Sequence, residues 1–258
     1  MPRAKRTRKS APASAGPLRA GGFLTDAAAA RPLASLVFLA PLMVTYAVGL
    51  IWVRPDLAAT ADIWLREAMR FVGISGALAP TWLAVVVLLV WHLVRRDPWQ
   101  VSWKLLGLMA LETVLLAVPL LVIERGFQVL WHAATLAIPP DHASSAETWL
   151  EAVMTSIGAG IYEELLFRLL MVGGALFVLT HILKDDSTGA CLAVVLIAAA
   201  LFAAAHEMNP AGFAWTRFLF RSTAGVYLGY VFLYRGFGVA TGVHILFDLV
   251  LKILDAIA

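Results

Sequence analysis

The stretch GIYEELLFRLLM, Gly160 to Met171, sets Glu163, Glu164 and Arg168 inside a run of leucines. An ionisable residue in such a run costs about 2.5–3.5 kcal/mol on insertion scales, so its presence is a functional hypothesis by default. Two more short patterns join it: FAAAH, which spaces Phe202 and His206 four apart, and HILFD, which does the same for His244 and Asp248. Glu112, Arg217, Arg221 and Lys252 also fall in apolar runs, although Lys252 is near enough to the chain end to snorkel. Glu163, His206, His244 and Asp248 thus supply carboxylate, imidazole, imidazole and carboxylate from three separate segments. Water activation needs such a set, because a carboxylate base can take a proton from water while imidazoles orient it and stabilise the oxyanion.

Helical spacing sorts the first pattern. Glu164 and Arg168 are i,i+4, on one face and correctly ordered for an ion pair, so they neutralise each other. Glu163 is left over, ~100° round the helix from Glu164 and largely turned away from Arg168. Each histidine pattern alone is ordinary in a membrane helix, where a lone histidine more often packs or bonds to a neighbouring helix. The alternative chemistry is a metal, since two histidines with carboxylates can bind zinc. HEMNP, His206 to Pro210, lacks the second histidine of an H-E-x-x-H zinc helix, and its proline would break that helix. The expectation is no metal and no other cofactor. GISG, Gly73 to Gly76, matches the G-x-S-G of rhomboid serine proteases over four residues only, and Ser75 is expected to cap an early span.

These residues must be carried by membrane helices. Across 258 residues, 61% are hydrophobic and only 14% charged, with a mean hydropathy of +0.82, too little polar surface for a water-soluble fold. The fold class is all-α, a polytopic helical membrane protein of about seven to eight transmembrane helices. Spans are expected at roughly 32–53, 74–94, 104–123, 157–183, 188–206, 213–234 and 238–257, each near the ~20 residues that cross hydrocarbon. The piece Phe127 to Ile138 is too short to cross alone and reads as re-entrant, interfacial or part of a broken helix. Residues 1–31 carry Arg3, Lys5, Arg6, Arg8 and Lys9 and then small residues. They read as a disordered basic tail held in the cytoplasm, ahead of one membrane domain over 32–258. Arg95, Arg96 and Lys104 agree with that orientation, which leaves the far side of the C-terminal half open. A nucleic-acid partner is not expected; membrane lipid is. The single cysteine, Cys191, excludes an internal disulfide.

The order EELLFR, FAAAH, HILFD resembles the motifs E-E-x-x-x-R, F-x-x-x-H and H-x-x-x-N/D of the CAAX protease and bacteriocin-processing family of intramembrane glutamic proteases. The likeness covers Ile157 to Leu254, and the glycines between the histidines, Gly225 and Gly229, have the four-residue spacing that lets helices approach closely. The resemblance implies an all-helical peptide hydrolase in which Glu163 is the general base and His206 helps it hold the water. It also implies an oxyanion site from His244 and Asp248, with Glu164 and Arg168 as structural support. Many members have asparagine at the last position, and an amide donates a hydrogen bond at any pH, which an ionised Asp248 cannot. Asp248 is therefore expected either to stay protonated or to hold His244 in its charged form.

One difficulty is depth. His206 ends one expected span, whereas His244 lies about two turns into a helix that starts on the other side, so the two meet only if helices are tilted or short. Rival readings are a zinc-dependent membrane protease using the same residues, a non-catalytic membrane partner, and a proton-coupled transporter. The expected partner is a protein or peptide substrate, such as a C-terminal tail or a leader peptide, and the expected location is a bacterial inner membrane. The alanine- and arginine-rich composition makes a prenylated substrate the weaker expectation.

Overall fold

Hydrocarbon offers backbone N–H and C=O groups no partners, so a chain this apolar must satisfy them within helices. The computed structural model describes residues 28–53, 59–135, 148–185, 187–207 and 213–257, with the side chains of 131–135 and 255 set aside, and no strand occurs among them. The helices are α1 (Pro32–Val48, continuing as a π-helical turn over Gly49–Val53), α2 (Thr60–Phe71), α3 (Ala79–Arg95) and α4 (Trp103–Thr135). They are followed by α5 (Trp149–Ile182), α6 (Thr188–Glu207), α7 (Trp215–Arg235) and α8 (Phe237–Ile257). Five of them, α1, α4, α5, α6 and α8, are long and apolar enough to cross a membrane. The chain is an all-α polytopic membrane protein.

Each expected span corresponds to one helix, and the differences have local causes. Phe127 to Thr135 is not re-entrant: it continues α4 as one helix of 33 residues, and Leu136 to Ile138 lie outside the described residues, as does the basic tail through Ala27. α5 begins at Trp149 rather than near 157 because Thr148 and Glu151 form a capping box. The Thr148 hydroxyl accepts from the Glu151 N–H at 3.3 Å, and the Glu151 carboxylate accepts from the Thr148 N–H at 2.9 Å. Ser75 caps nothing; it lies exposed in the turn before α3, whose N-cap is Leu78.

The additional helix, α2, is amphipathic and docks through a buried acid. Asp62 is fully buried, takes two hydrogen bonds from Arg66 at 2.8 and 2.6 Å, and accepts from the Tyr46 hydroxyl of α1 at 2.8 Å. The Tyr46 ring stands 5.4 Å from that of Tyr162 in α5, whose hydroxyl lies 2.6 Å from that of Thr81 in α3. A charge that would be costly alone is thereby paired and bonded.

α8 is the most buried of the apolar spans. Val239, Ala240 and Val243 have no exposed surface, and they join Leu39 of α1, Met109 of α4 and Ile161 of α5 in the core. α7 turns into α8 at Gly236, whose φ of +84° favours glycine and whose missing Cβ leaves room for Ala30. Glu112 of α4 and Arg235 at the end of α7 form a buried ion pair near this turn.

Candidate active site

α5 carries two of the carboxylates and changes its winding between them. The α-helical stretch ends at Glu163, and Glu164–Gly173 is wound as a π-helix before the helix runs on to Ile182. π segments are rare, and i→i+5 bonding widens the helix where it occurs, often at functional sites.

Glu163 points both oxygens at histidines from other helices. Its Oε1 lies 3.3 Å from Nε2 of His206, in the last turn of α6, and its Oε2 lies 3.7 Å from Nε2 of His244, in α8. The Glu163 side chain is 8% exposed and that of His244 7%, whereas His206, at 25%, stands at the rim. The second nitrogen of each imidazole is engaged. Nδ1–H of His206 donates to the Phe202 carbonyl at 2.8 Å, and Nδ1–H of His244 donates to Oε1 of Glu164 at 2.8 Å. With each Nδ1 bonded to an oxygen acceptor, each Nε2 is left facing Glu163. At 3.7 Å neither Glu163 nor Asp248, whose Oδ2 is equally far from Nε2 of His244, is hydrogen-bonded to that nitrogen.

Glu164 does more than pair with Arg168. The pair is present, Nη1 to Oε1 at 3.0 Å with both side chains buried, but the same carboxylate oxygen fixes the orientation of His244. Arg168 in turn lies over the Phe202 ring, 4.5 Å from its centroid, and reaches the Gly225 carbonyl of α7 at 3.5 Å. Phe202 also meets Phe167 edge-on at 5.2 Å and His206 at 4.6 Å, so one aromatic ring spaces the arginine and the two candidate histidines.

The depth problem resolves in the packing of α6, α7 and α8. Phe220, in the second turn of α7, faces Phe247, midway along α8, at 6.1 Å. His206 and His244 both reach the Glu163 carboxylate, so the end of α6 and the middle of α8 meet at α5. Close packing of α6 on α7 holds that register, since a Cβ at Gly225 would come within 3.0 Å of Ala199 Cβ. The structure thus brings Glu163, His206, His244, Glu164 and Arg168 together, with Asp248 at the edge, 25% exposed.

Sequence reasoning missed Glu207, next to His206, which accepts from the Ala214 N–H at 2.9 Å and pairs with Arg217 at 3.3 Å and Arg221 at 2.8 Å. Arg217 and Arg221 are four apart in α7, and that spacing was the signal for a shared acidic partner. Among the described residues no group of three or more His, Cys, Asp or Glu side chains is arranged to hold a metal ion.

Residues 145–250, which contain all three motifs, match the family model described as Type II CAAX prenyl endopeptidase Rce1-like. This bears out the family resemblance, and over this stretch the chain is similar to a CAAX-type peptidase. Neither curated proteins nor solved structures give a significant match.

Proposed function

We propose that this protein is an intramembrane peptidase that hydrolyses a peptide bond of a membrane-associated protein or peptide with water activated by Glu163. The observation that carries the reading is the Glu163 carboxylate, shared between Nε2 of His206 at 3.3 Å and Nε2 of His244 at 3.7 Å. In this mechanism Glu163 takes a proton from water as the water oxygen attacks the carbonyl carbon, and His206 helps to hold the water. The oxyanion is stabilised by Nε2–H of His244 in its doubly protonated form, with Nδ1–H held by Glu164 and Asp248 beside it. Collapse of the intermediate breaks the C–N bond, and the proton held by Glu163 passes to the leaving amine, giving a new carboxylate and a new amino terminus. Glu164 acts on His244 rather than on substrate: by accepting from Nδ1 it leaves Nε2 directed at the reacting atoms. The proposed location is a bacterial inner membrane, on the alanine- and arginine-rich composition, with the basic tail placed in the cytoplasm by its charge.

The test is cleavage of membrane-anchored reporter peptides by the purified protein in liposomes, before and after exhaustive chelation. Turnover should survive chelation. Its loss, with recovery by zinc alone, would replace Glu163-activated water with zinc-activated water, while proton flux without cleavage would make the protein a transporter.

A further inference from the structure

α5 and α8 pack antiparallel along a seam that leads away from the candidate site. Glu163 faces His244 and Gly160 abuts Ile245. Eight residues back along α5, the Thr155 hydroxyl accepts a hydrogen bond from Nζ of Lys252, eight residues on along α8. That register sets Asp248 opposite Ala159, midway between the two contacts, where α5 offers no hydrogen-bonding side chain. Thr155, Ala159, Asp248 and Lys252 are all half-buried. On its own helix Asp248 has a basic group one turn to either side, His244 before it and Lys252 after it, and acid before base is the favoured order for an i,i+4 pair.

The other charges that act on Asp248 are those of Glu163 in α5 and His206 in α6. Elsewhere on the surrounding helices the charged groups have partners of their own. Glu151 belongs to its capping box, Arg168 pairs with Glu164, Arg217 and Arg221 hold Glu207, Arg235 holds Glu112, and Glu124 accepts from Gln128. α1 carries no charged residue.

Asp248 stands back from the imidazole beside it. Its Oδ2 is 3.7 Å from Nε2 of His244, beyond hydrogen-bonding distance. The gap matters, because Nε2–H can reach an oxyanion only while no carboxylate accepts from it. A carboxylate one turn from a doubly protonated imidazole would otherwise close on it, since charge-assisted hydrogen bonds are the strong ones. Lys252 is placed to oppose that movement: it attracts Asp248 from the side away from His244, and Thr155 keeps its ammonium from following.

We infer that Lys252 is a positioning residue that acts through Asp248: anchored to Thr155, it draws the Asp248 carboxylate away from Nε2 of His244 and so keeps that N–H for the reacting oxygen. The consequence for turnover rests on the peptidase reading; the placement of Asp248 does not.

The test is a suppressor experiment on the full chain. Cleavage of the membrane-anchored reporter in liposomes is measured for wild type, Lys252→Met, Lys252→Arg, Thr155→Val and the double variant Lys252→Met with Asp248→Asn, beside a thermal melt of each. Lys252→Met should lower kcat about 10- to 100-fold, the usual cost of losing an outer partner of a reacting group, with little change in KM. Lys252→Arg should keep most of the turnover. Adding Asp248→Asn to Lys252→Met should raise kcat well above that of Lys252→Met alone, because a neutral amide has no charge to draw it onto the imidazolium. Proton NMR of the protein with isotope-labelled histidine, in detergent, gives a readout that needs no cleavage. An Nε2–H captured by Asp248 should add a downfield imidazole resonance in Lys252→Met that wild type and the double variant lack. Thr155→Val, which releases the ammonium without removing a charge, should show both effects in weaker form and decides the matter if Lys252→Met does not fold. Wild-type kcat in Lys252→Met, a double variant no faster than Lys252→Met, or no new resonance in either Lys252→Met or Thr155→Val overturns the inference; a link that merely ties α8 to α5 would give the second of these with a lowered Tm. Identical turnover by wild type and Glu163→Gln would sink the peptidase reading, and the resonance would still decide where Asp248 stands.

Discussion

Replacing each of the adjacent glutamates by glutamine should produce two different defects. Glu163→Gln keeps the size of the side chain and removes the base, so turnover should fall ~100- to 10,000-fold, a barrier increase of about 3–5 kcal/mol. Its effect on folding should be small, because His206 and His244 keep their Nδ1 partners, Phe202 and Glu164. Glu164→Gln instead strands Arg168, whose side chain is 2% exposed and whose contact with the Phe202 ring at 4.5 Å does not neutralise it. Breaking a buried pair costs roughly 3–5 kcal/mol. At roughly 2–4 °C per kcal/mol for a domain of this size, that corresponds to a drop in Tm of about 6–20 °C. Adding Arg168→Met to Glu164→Gln removes the stranded charge and should recover part of the loss, because a well-packed apolar replacement of a buried pair is often neutral. The assay is a thermal melt in detergent at one scan rate, run beside the cleavage rate, for wild type and the three variants. Near-normal turnover by Glu163→Gln, or equal loss of Tm from both single changes, would refute this division of roles.

Asp248→Asn should stay folded and keep turnover within about tenfold if the side chain serves as a donor near the oxyanion; a far larger loss would mean that its negative charge beside His244 is what matters, and a pH–rate profile of the variant separates the two. Arg235→Met should lower Tm by about 6–20 °C through its stranded partner Glu112, yet leave the turnover of the folded fraction unchanged, since this pair is no part of the Glu163, His206 and His244 cluster; Glu112→Leu in the same chain should restore much of the Tm. Gly225→Leu should abolish turnover and cost about 1–3 kcal/mol by overpacking, because Ala199 already sits at the limit of contact and any separation of α6 from α7 carries His206 away from Glu163; normal cleavage by this variant would contradict the register argument.

Much of this protein is decided locally and can be read along the chain. Hydropathy sets a span because a helix crossing hydrocarbon needs only its own residues to satisfy its backbone, and i,i+4 spacing pairs Glu164 with Arg168 because both belong to one helix. The family resemblance rests on the same local spacings, repeated in order. Contacts between helices were not legible. Nothing near Glu164 announces that its oxygen will bond His244 across 80 positions of sequence, and nothing near Glu112 names Arg235, 123 positions away. Asp62 reads as an ordinary surface acid until Tyr46 and Arg66 enclose it. The turn to π winding at Glu164 likewise has no sequence rule behind it. The meeting of His206, His244 and Glu163 depends on the axial register in which α6, α7 and α8 pack. A span's own residues specify that it crosses and which face is apolar, whereas its tilt and axial register are set by the neighbours it packs against.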